Sequence, residues 1–116
     1  MKFKLIVAIS ATEKTNAILE AARKGGATGC TVISSAHGEG LSPPTTFLGL
    51  TLEGQRDVIW LLVEEHLSRK ILESIAAAGQ FEEQPGTGVA FQLEIEDAIG
   101  LGSQMKTIEE EIEDEL

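Results

Sequence analysis

Apolar and polar positions recur along the chain in two similar series. Each series predicts a strand, a helix, a glycine turn and a second strand. The first series consists of LIVAI, a helix over about Glu13–Lys24, Gly25-Gly26 and CTVIS; the second consists of VIWLLV, a helix over about Glu65–Ala78, Gly79 and VAFQLEI. A doubled βαβ unit predicts a ferredoxin-like α+β fold, in which a four-stranded antiparallel sheet carries two helices on one face.

Signals at the helix ends support these assignments. Thr12 is a suitable N-cap for the first helix, and Gly79 is expected to close the second. The apolar stripes expected to face the core are Ala17, Ile18, Ala21 and Ala22 in the first helix, and Leu67, Ile71, Leu72, Ile75 and Ala76 in the second. Cys30, at the start of a predicted strand, is expected to be a small buried side chain.

The third predicted strand differs from the others because residues 58–63 are apolar at every position. Two helices cover only one face of a four-stranded sheet, so the opposite face also needs a cover. We expect another copy of the chain to supply it, which predicts a homo-oligomer packed sheet to sheet. The alternative is that the C-terminal segment folds back over the sheet.

A long connection, from about His37 to Arg56, joins the two halves. Connections of this length in a compact domain usually have a function of their own. Here Pro43-Pro44 precedes TTFLGLTLEG, in which apolar and small residues alternate. This alternation indicates a short β arm whose apolar side meets either a neighbouring subunit or a partner protein.

The chain is expected to form one domain over residues 1–102, followed by an acidic tail over residues 103–116. In the tail Ile108, Ile112 and Leu116 recur at helical spacing among carboxylates. This pattern predicts an amphipathic helix whose acidic side faces water.

Composition excludes several classes of function. The formal net charge is −10, and only nine basic residues occur among 116, which argues against a nucleic-acid partner. No apolar run approaches the roughly 20 residues of a membrane span, and the N-terminus lacks a signal-peptide layout. We therefore expect a cytoplasmic protein without membrane insertion. The single cysteine excludes an internal disulfide.

No set of residues with catalytic or metal-binding spacing stands out in the sequence. His37 and His66 are the only histidines, and neither belongs to a zinc-binding motif. No serine lies in a nucleophile elbow. The sequence therefore predicts a non-enzymatic protein without a metal site or a resident cofactor.

Two glycine loops remain as candidate binding elements. His37-Gly38-Glu39-Gly40 follows the second predicted strand, and Gln84-Pro85-Gly86-Thr87-Gly88 precedes the fourth. Glycines let the backbone approach a ligand and direct N–H groups at an anion, although such loops are more often simple turns. Their placement in a duplicated unit favours a binding role, with His37 as a further ligand contact.

The chain resembles the nitrogen regulatory protein P-II family over about Lys4–Leu101. The resemblance lies in KLIVAI, in LEAARKGGATGCTV, in the long connection, and in PGTGVAF with EIEDAIGL; residues 27–32 are its most specific piece. It implies a homotrimer that binds adenine nucleotides in clefts between subunits, with the connection as a protruding T-loop. Members of the family sense ATP against ADP, or another adenylyl metabolite, and control a transporter, an enzyme or a regulator through that loop.

The resemblance also implies roles for individual positions. By position, the matching residues are Ile9, Thr31 and Leu62 near the adenine, Gly38 and Gly40 at the base of the T-loop, and Gly86, Thr87 and Gly88 in the phosphate-side B-loop.

The chain departs from the family pattern where positive charge is expected. Val89 occupies the position of the B-loop lysine, Gly100 and Gly102 those of two arginines, and Leu41-Ser42 that of an Arg-Gln pair. Each missing charge-assisted hydrogen bond is worth roughly 1.5–3 kcal/mol, so polyphosphate binding should be weaker by orders of magnitude.

Three basic residues are candidates to compensate for the missing charge: Arg56, and Lys2 and Lys4 of a neighbouring subunit. The chain also has no tyrosine, so the uridylylation of a T-loop tyrosine that occurs in some family members is not available.

Together these features predict a non-enzymatic PII-like regulator that binds a small effector, with an adenylyl nucleotide as the first candidate. Its loop over residues 37–56 would control a partner such as a membrane transporter. One alternative is a structural or adaptor trimer without a nucleotide. Another is a small ferredoxin-like trimer of the copper-tolerance (CutA-like) type, but the ATGCTV and PGTGVAF pieces favour the P-II family.

Overall fold

The computed structural model of the chain describes residues 2–36, 46–47, 50–51 and 55–101. Its elements, in chain order, are β1 (Phe3–Ala11), a 3-10 turn (Thr12–Lys14), α1 (Thr15–Lys24), β2 (Thr31–Ala36), β3 (Thr46–Phe47), β4 (Leu50–Thr51), β5 (Arg56–Glu64), α2 (Glu65–Gly79) and β6 (Gly88–Glu94). The strand–helix–strand order therefore occurs twice, as the sequence predicts. Between the two halves, β3 and β4 pair as a hairpin within the region predicted to form a β arm.

The main sheet has the strand order β2-β5-β1-β6, and every neighbouring pair is antiparallel. Both helices contribute to a single core on one face of this sheet. The core residues are Ile6, Ala8, Ile18, Ala22, Ile59, Leu61, Val63, Ile71 and Ile75, all at most 2 % exposed. The ferredoxin-like prediction is confirmed.

The opposite face of the sheet is also apolar, and we call it the outer face. It consists of Leu5, Val7, Ile9, Ile33, Val58, Trp60, Leu62, Val89, Phe91 and Leu93, which alternate with the inward side chains and line up through the strand register. Trp60 is 39 % exposed, Leu93 46 % and Ile33 50 %. The third predicted strand is thus apolar on both faces because one face packs against the helices and the other belongs to the outer face.

The start of α1 corrects two expectations. Thr12 is not its N-cap, because the chain first forms the 3-10 turn and α1 begins only at Thr15. Ala17 is exposed and Thr15 is buried, so the stripe that faces the core begins two residues earlier than predicted. The reason is that the hydroxyls of Thr12 and Thr15 both donate to Asp57 of β5, which draws this turn towards the sheet.

Two further expectations are corrected by the structure. Gly79 is the last residue of α2 rather than its cap, and Gln80 takes the left-handed conformation after it, with φ 56°. Cys30 is exposed and lies just before β2 rather than inside a buried strand. Its exposure follows from β2 being an edge strand, which has a neighbour on one side only.

Candidate functional site

Strand pairing brings the start of β6, which follows the second glycine loop, and both ends of the long connection to one end of the sheet, which we call the loop end. Ser10 of β1 pairs with both Asp57 and Gly88, and the next residue, Ala11, pairs with Arg56. Ala36, at the end of β2, also pairs with Arg56. The connection over residues 37–55 therefore leaves and re-enters the sheet at the same end as the start of β6, with β1 between β5 and β6.

The glycine loop over residues 80–88 is held by its own hydrogen bonds. The Gln84 N–H donates to the Gln80 carbonyl at 2.9 Å. Thr87 donates to the Gln84 carbonyl twice, from its N–H at 3.2 Å and from its hydroxyl at 2.7 Å. Gly86 lies between them with φ 84°, a left-handed conformation that other L-residues rarely adopt. The predicted B-loop thus forms a turn that internal hydrogen bonds stabilise.

The ring of Phe81 packs between the two ends of this loop. A Cβ atom added to Gly79 would lie 2.4 Å from the Phe81 ring, and one added to Gly88 would lie 2.1 Å from it. Gly79 and Gly88 therefore leave the space that the ring fills. For Gly88, which was predicted as a phosphate-side residue, the structure supplies a packing role in addition.

A buried carboxylate joins the loop end to α1. Asp57 is only 3 % exposed and accepts hydrogen bonds from the Thr15 hydroxyl at 2.5 Å and the Thr12 hydroxyl at 3.3 Å. Its negative charge lies beside the first residue of α1, where the helix dipole favours an anion. Asp57 is thus a structural anchor beneath the candidate site.

Replacing Asp57 with alanine should lower the free energy of unfolding by roughly 1–3 kcal/mol, because the buried Thr15 hydroxyl loses its acceptor. Urea denaturation of both proteins at one protein concentration measures this difference. Thr12→Val is the matched control: Thr12 is exposed and its bond is longer, so its loss should cost less. Equal losses in the two variants would contradict the anchoring role.

The residues predicted near the adenine do not all meet within one chain. Thr31 and Leu62 line a common open depression of about 460 Å³ together with Leu5, Gly29, Cys30 and Trp60. Ile9 pairs with Val58, four residues before Leu62 along β5 and hence about 13 Å away. One subunit therefore brings Thr31 and Leu62 together and leaves Ile9 nearer the loop end.

Several predicted positions lie outside the described residues: His37, Gly38, Gly40, Leu41-Ser42, Gly102 and the acidic tail with Ile108, Ile112 and Leu116. Gly100 is described and has φ 100°, which suits the glycine that stands there in place of an arginine.

The basic residues that could compensate for the missing charge lie at the two ends of the sheet. Arg56 is at the loop end, as first residue of β5, and is 9 % exposed. Lys2 and Lys4 are at the far end, where Lys4 pairs with Glu94. Sequence reasoning missed Lys14, whose Nζ donates to the Gln80 side chain at 2.5 Å. The feature that could have indicated Lys14 is its position just past the end of β1, the strand that pairs with Gly88.

At the far end, a glutamate caps α2. Glu64 is 2 % exposed, and its side chain accepts from the His66 N–H at 2.7 Å and from the His66 ring at 2.5 Å. Glu64, Glu65 and His66 place their ligand atoms within 4.8 Å of one another. The two hydrogen bonds to Glu64 explain why these three side chains lie close together, because Glu64 is the N-cap of α2.

The hydrogen bond that the His66 ring donates to Glu64 raises the pKa of His66 above the ordinary 6.5, and the negative charge of Glu64 is the second cause. The bond to protonated His66 therefore stabilises the fold fully at acidic pH, and this contribution is lost as pH rises through the raised pKa. NMR titration of the imidazole should show the raised midpoint, and Glu64→Gln should return it towards 6.5. Glu65→Gln is the control, because Glu65 is a lesser cause. An unchanged midpoint in Glu64→Gln would contradict this explanation.

The strand order, the helices on one face and the long connection between the halves define a ferredoxin-like domain with a loop-bearing end. The model of the family described as nitrogen regulatory protein P-II matches residues 3–104, and the chain belongs to this family. Proteins of this family are generally non-enzymatic signalling proteins. A search among curated proteins gave no match.

Solved structures of PII-like proteins share the fold. A PII-like signalling protein from Thermus thermophilus has 20 % sequence identity and a TM-score of 0.60, with 82 % of this chain and 88 % of that chain covered. The apo form of CPII from Thiomonas intermedia has 19 % identity and a TM-score of 0.62, covering 82 % and 90 %. CPII bound to ADP, AMP and acetate has 18 % identity and a TM-score of 0.59, covering 83 % and 90 %.

Within the described residues, no helix has both the length and the apolar character that a membrane crossing requires.

Proposed function

We propose that this protein is a non-enzymatic, homotrimeric PII-like sensor. In this proposal it binds an adenine nucleotide in the clefts between subunits and regulates a partner protein through the loop over residues 37–56. The observation that carries the proposal is that both ends of the connection and the glycine loop lie at the same end of the sheet, with β1 between β5 and β6. In this proposal, ligand binding at this end of the sheet acts on the connection.

The outer face supports assembly. Its apolar side chains span all four strands, and Trp60, Phe91 and Leu93 remain between 37 % and 46 % exposed in the single chain. A continuous apolar face of this kind marks a protein interface. Family members are typically trimers that contact regulated proteins, and a sheet-to-sheet trimer would cover this face.

Assembly would also complete the ligand site. Ile9 and Leu62 are about 13 Å apart along the strands of one chain, so both cannot surround one adenine ring from the same subunit. A cleft between two subunits removes this difficulty, because each can contribute its own end of the sheet. The structure of CPII with ADP and AMP supports an adenine nucleotide as the ligand.

The domain over residues 1–102 would form the trimer and bind the ligand, and residues 103–116 would be an appended acidic tail. The proposed setting is the cytoplasm, where adenine nucleotides are available. The partner would be a regulated protein, such as a membrane transporter, that meets the loop.

The test combines light scattering with isothermal titration of the purified protein against ATP, ADP, AMP and cyclic AMP at physiological salt. A trimer that binds one of these nucleotides at micromolar concentration supports the proposal. A trimer that binds none contradicts the sensor and favours the adaptor. Limited proteolysis tests whether nucleotide binding changes the loop over residues 37–56. Equal cleavage of the loop with and without bound nucleotide would contradict regulation through a change in this loop.

A further inference from the structure

The glycine loop carries no cation of its own. Its charged residues, Glu82 and Glu83, are both acidic and exposed. Val89, at the position of the expected lysine, pairs with Ile9 and extends the outer face. An anion at this loop therefore needs positive charge from another element of the chain.

Lys14 is placed to supply that charge. It ends the 3-10 turn that follows β1, and β1 pairs with Gly88 at the start of β6. Its Nζ donates to the side-chain oxygen of Gln80 at 2.5 Å. The Gln80 carbonyl accepts from Gln84, whose own carbonyl accepts from Thr87. Gln80 thus contacts Lys14 through its side chain and the glycine loop through its main-chain carbonyl.

Lys14 also forms no ion pair within the part of the chain that the structure describes. Arg23 and Arg69, on the two helices, form ion pairs with Glu20 and Glu73. The acceptor of Lys14 is instead a neutral amide, which uses one of the three ammonium donors. A phosphate oxygen is a stronger acceptor than an amide because the hydrogen bond is then charged on both sides.

We propose that Lys14 binds the phosphate group of the ligand at the glycine loop, in place of the missing B-loop lysine, and exchanges its Gln80 contact for a phosphate oxygen. This inference rests on the proposed function in taking the glycine loop as the ligand site. It assigns the ligand class as a phosphate or pyrophosphate ester, recognised by Lys14 together with the backbone of the loop.

The rival role for Lys14 is structural, as a latch that holds Gln80. Two variants separate the roles. Lys14→Gln removes the charge, whereas Gln80→Gly removes the latch, keeps the charge and suits the left-handed backbone at this position. Lys14→Arg retains the charge, and Lys24→Gln is the matched control at the opposite end of α1.

The experiment titrates inorganic pyrophosphate and, separately, ADP into the full chain and each variant, and follows the Gly86 and Thr87 amides by NMR. Lys14→Gln should weaken pyrophosphate binding about tenfold or more, as expected for one lost charge-assisted hydrogen bond. Lys24→Gln should bind like the unmodified chain, and Gln80→Gly should not weaken binding. Lys14→Arg should lose less than Lys14→Gln because it keeps the positive charge.

Undiminished binding by Lys14→Gln, or an equal loss in Gln80→Gly, overturns the inference, and so does absence of pyrophosphate binding to the unmodified chain. Pyrophosphate binding that depends on Lys14 without any binding of ADP upholds the role of Lys14 and contradicts the nucleotide assignment. The two proposals can therefore fail separately.

Discussion

Trp60→Glu is expected to leave each chain folded and to prevent its assembly. Trp60 lies in the middle of the outer face, opposite Val7 of β1 and Thr31 of β2, and is 39 % exposed in the single chain. Water reaches a carboxylate there in the monomer. In a covered sheet the same carboxylate is buried without a partner, which costs several kcal/mol for each ion. We therefore expect monomers at micromolar concentration by light scattering.

Two controls accompany this variant. Trp60→Phe keeps an aromatic ring in the outer face and should still assemble. Ala77→Glu places the same carboxylate on an exposed position of α2, on the helix side of the sheet, and should also assemble. Circular dichroism checks that all three variants retain their secondary structure. If Trp60→Glu remains a trimer, the subunits meet through a surface other than the outer face.

Gly88→Ala should destabilise the domain by roughly 1–3 kcal/mol, the usual cost of an added methyl group in a packed site. The new Cβ would lie 2.1 Å from the Phe81 ring, and the ring cannot retreat towards α2 because Gly79 meets it on that side. The measurement is urea denaturation at a fixed protein concentration, since assembly makes stability concentration-dependent.

A double-mutant cycle with Phe81→Leu tests the cause. The smaller side chain frees space beside Gly88, so the added methyl should cost less in the Phe81→Leu background than in the natural one. An equal cost in both backgrounds would place the strain elsewhere in the loop. The cycle also separates packing from ligand binding, because unfolding is measured without any nucleotide present.

The sequence predicted the fold well because the two βαβ series are long and strongly periodic. Both helices end within a residue or so of the expected places, and the apolar run of the third strand correctly indicated a sheet with two apolar faces. The errors concern local polar contacts. Thr12 has the side chain of an N-cap, but a distant carboxylate, Asp57, captures its hydroxyl, and composition alone does not reveal that pairing.

The candidate site was only partly predictable for the same reason. The second glycine loop and Arg56 could be proposed because glycine motifs and strand ends are visible in the sequence, and their role in binding stays a prediction. Lys14 was missed because it contacts Gln80, 66 residues later, only after β1 and α2 have packed on one another. Phe81 was missed because the space that it fills is made by two glycines, which in the sequence indicate only turns.

The pairing of Ala36 with Arg56 has a consequence for how the chain tolerates change. The two feet of the connection stand on adjacent strands, about 5 Å apart, so the sheet already fixes the closure of the segment between them. Loop-closure entropy grows only slowly with length, and lengthening or exchanging this segment should cost the domain little. The sequence of the connection can therefore be exchanged at little cost in stability. New recognition sequences can arise there, or be grafted there, without changes to the rest of the domain.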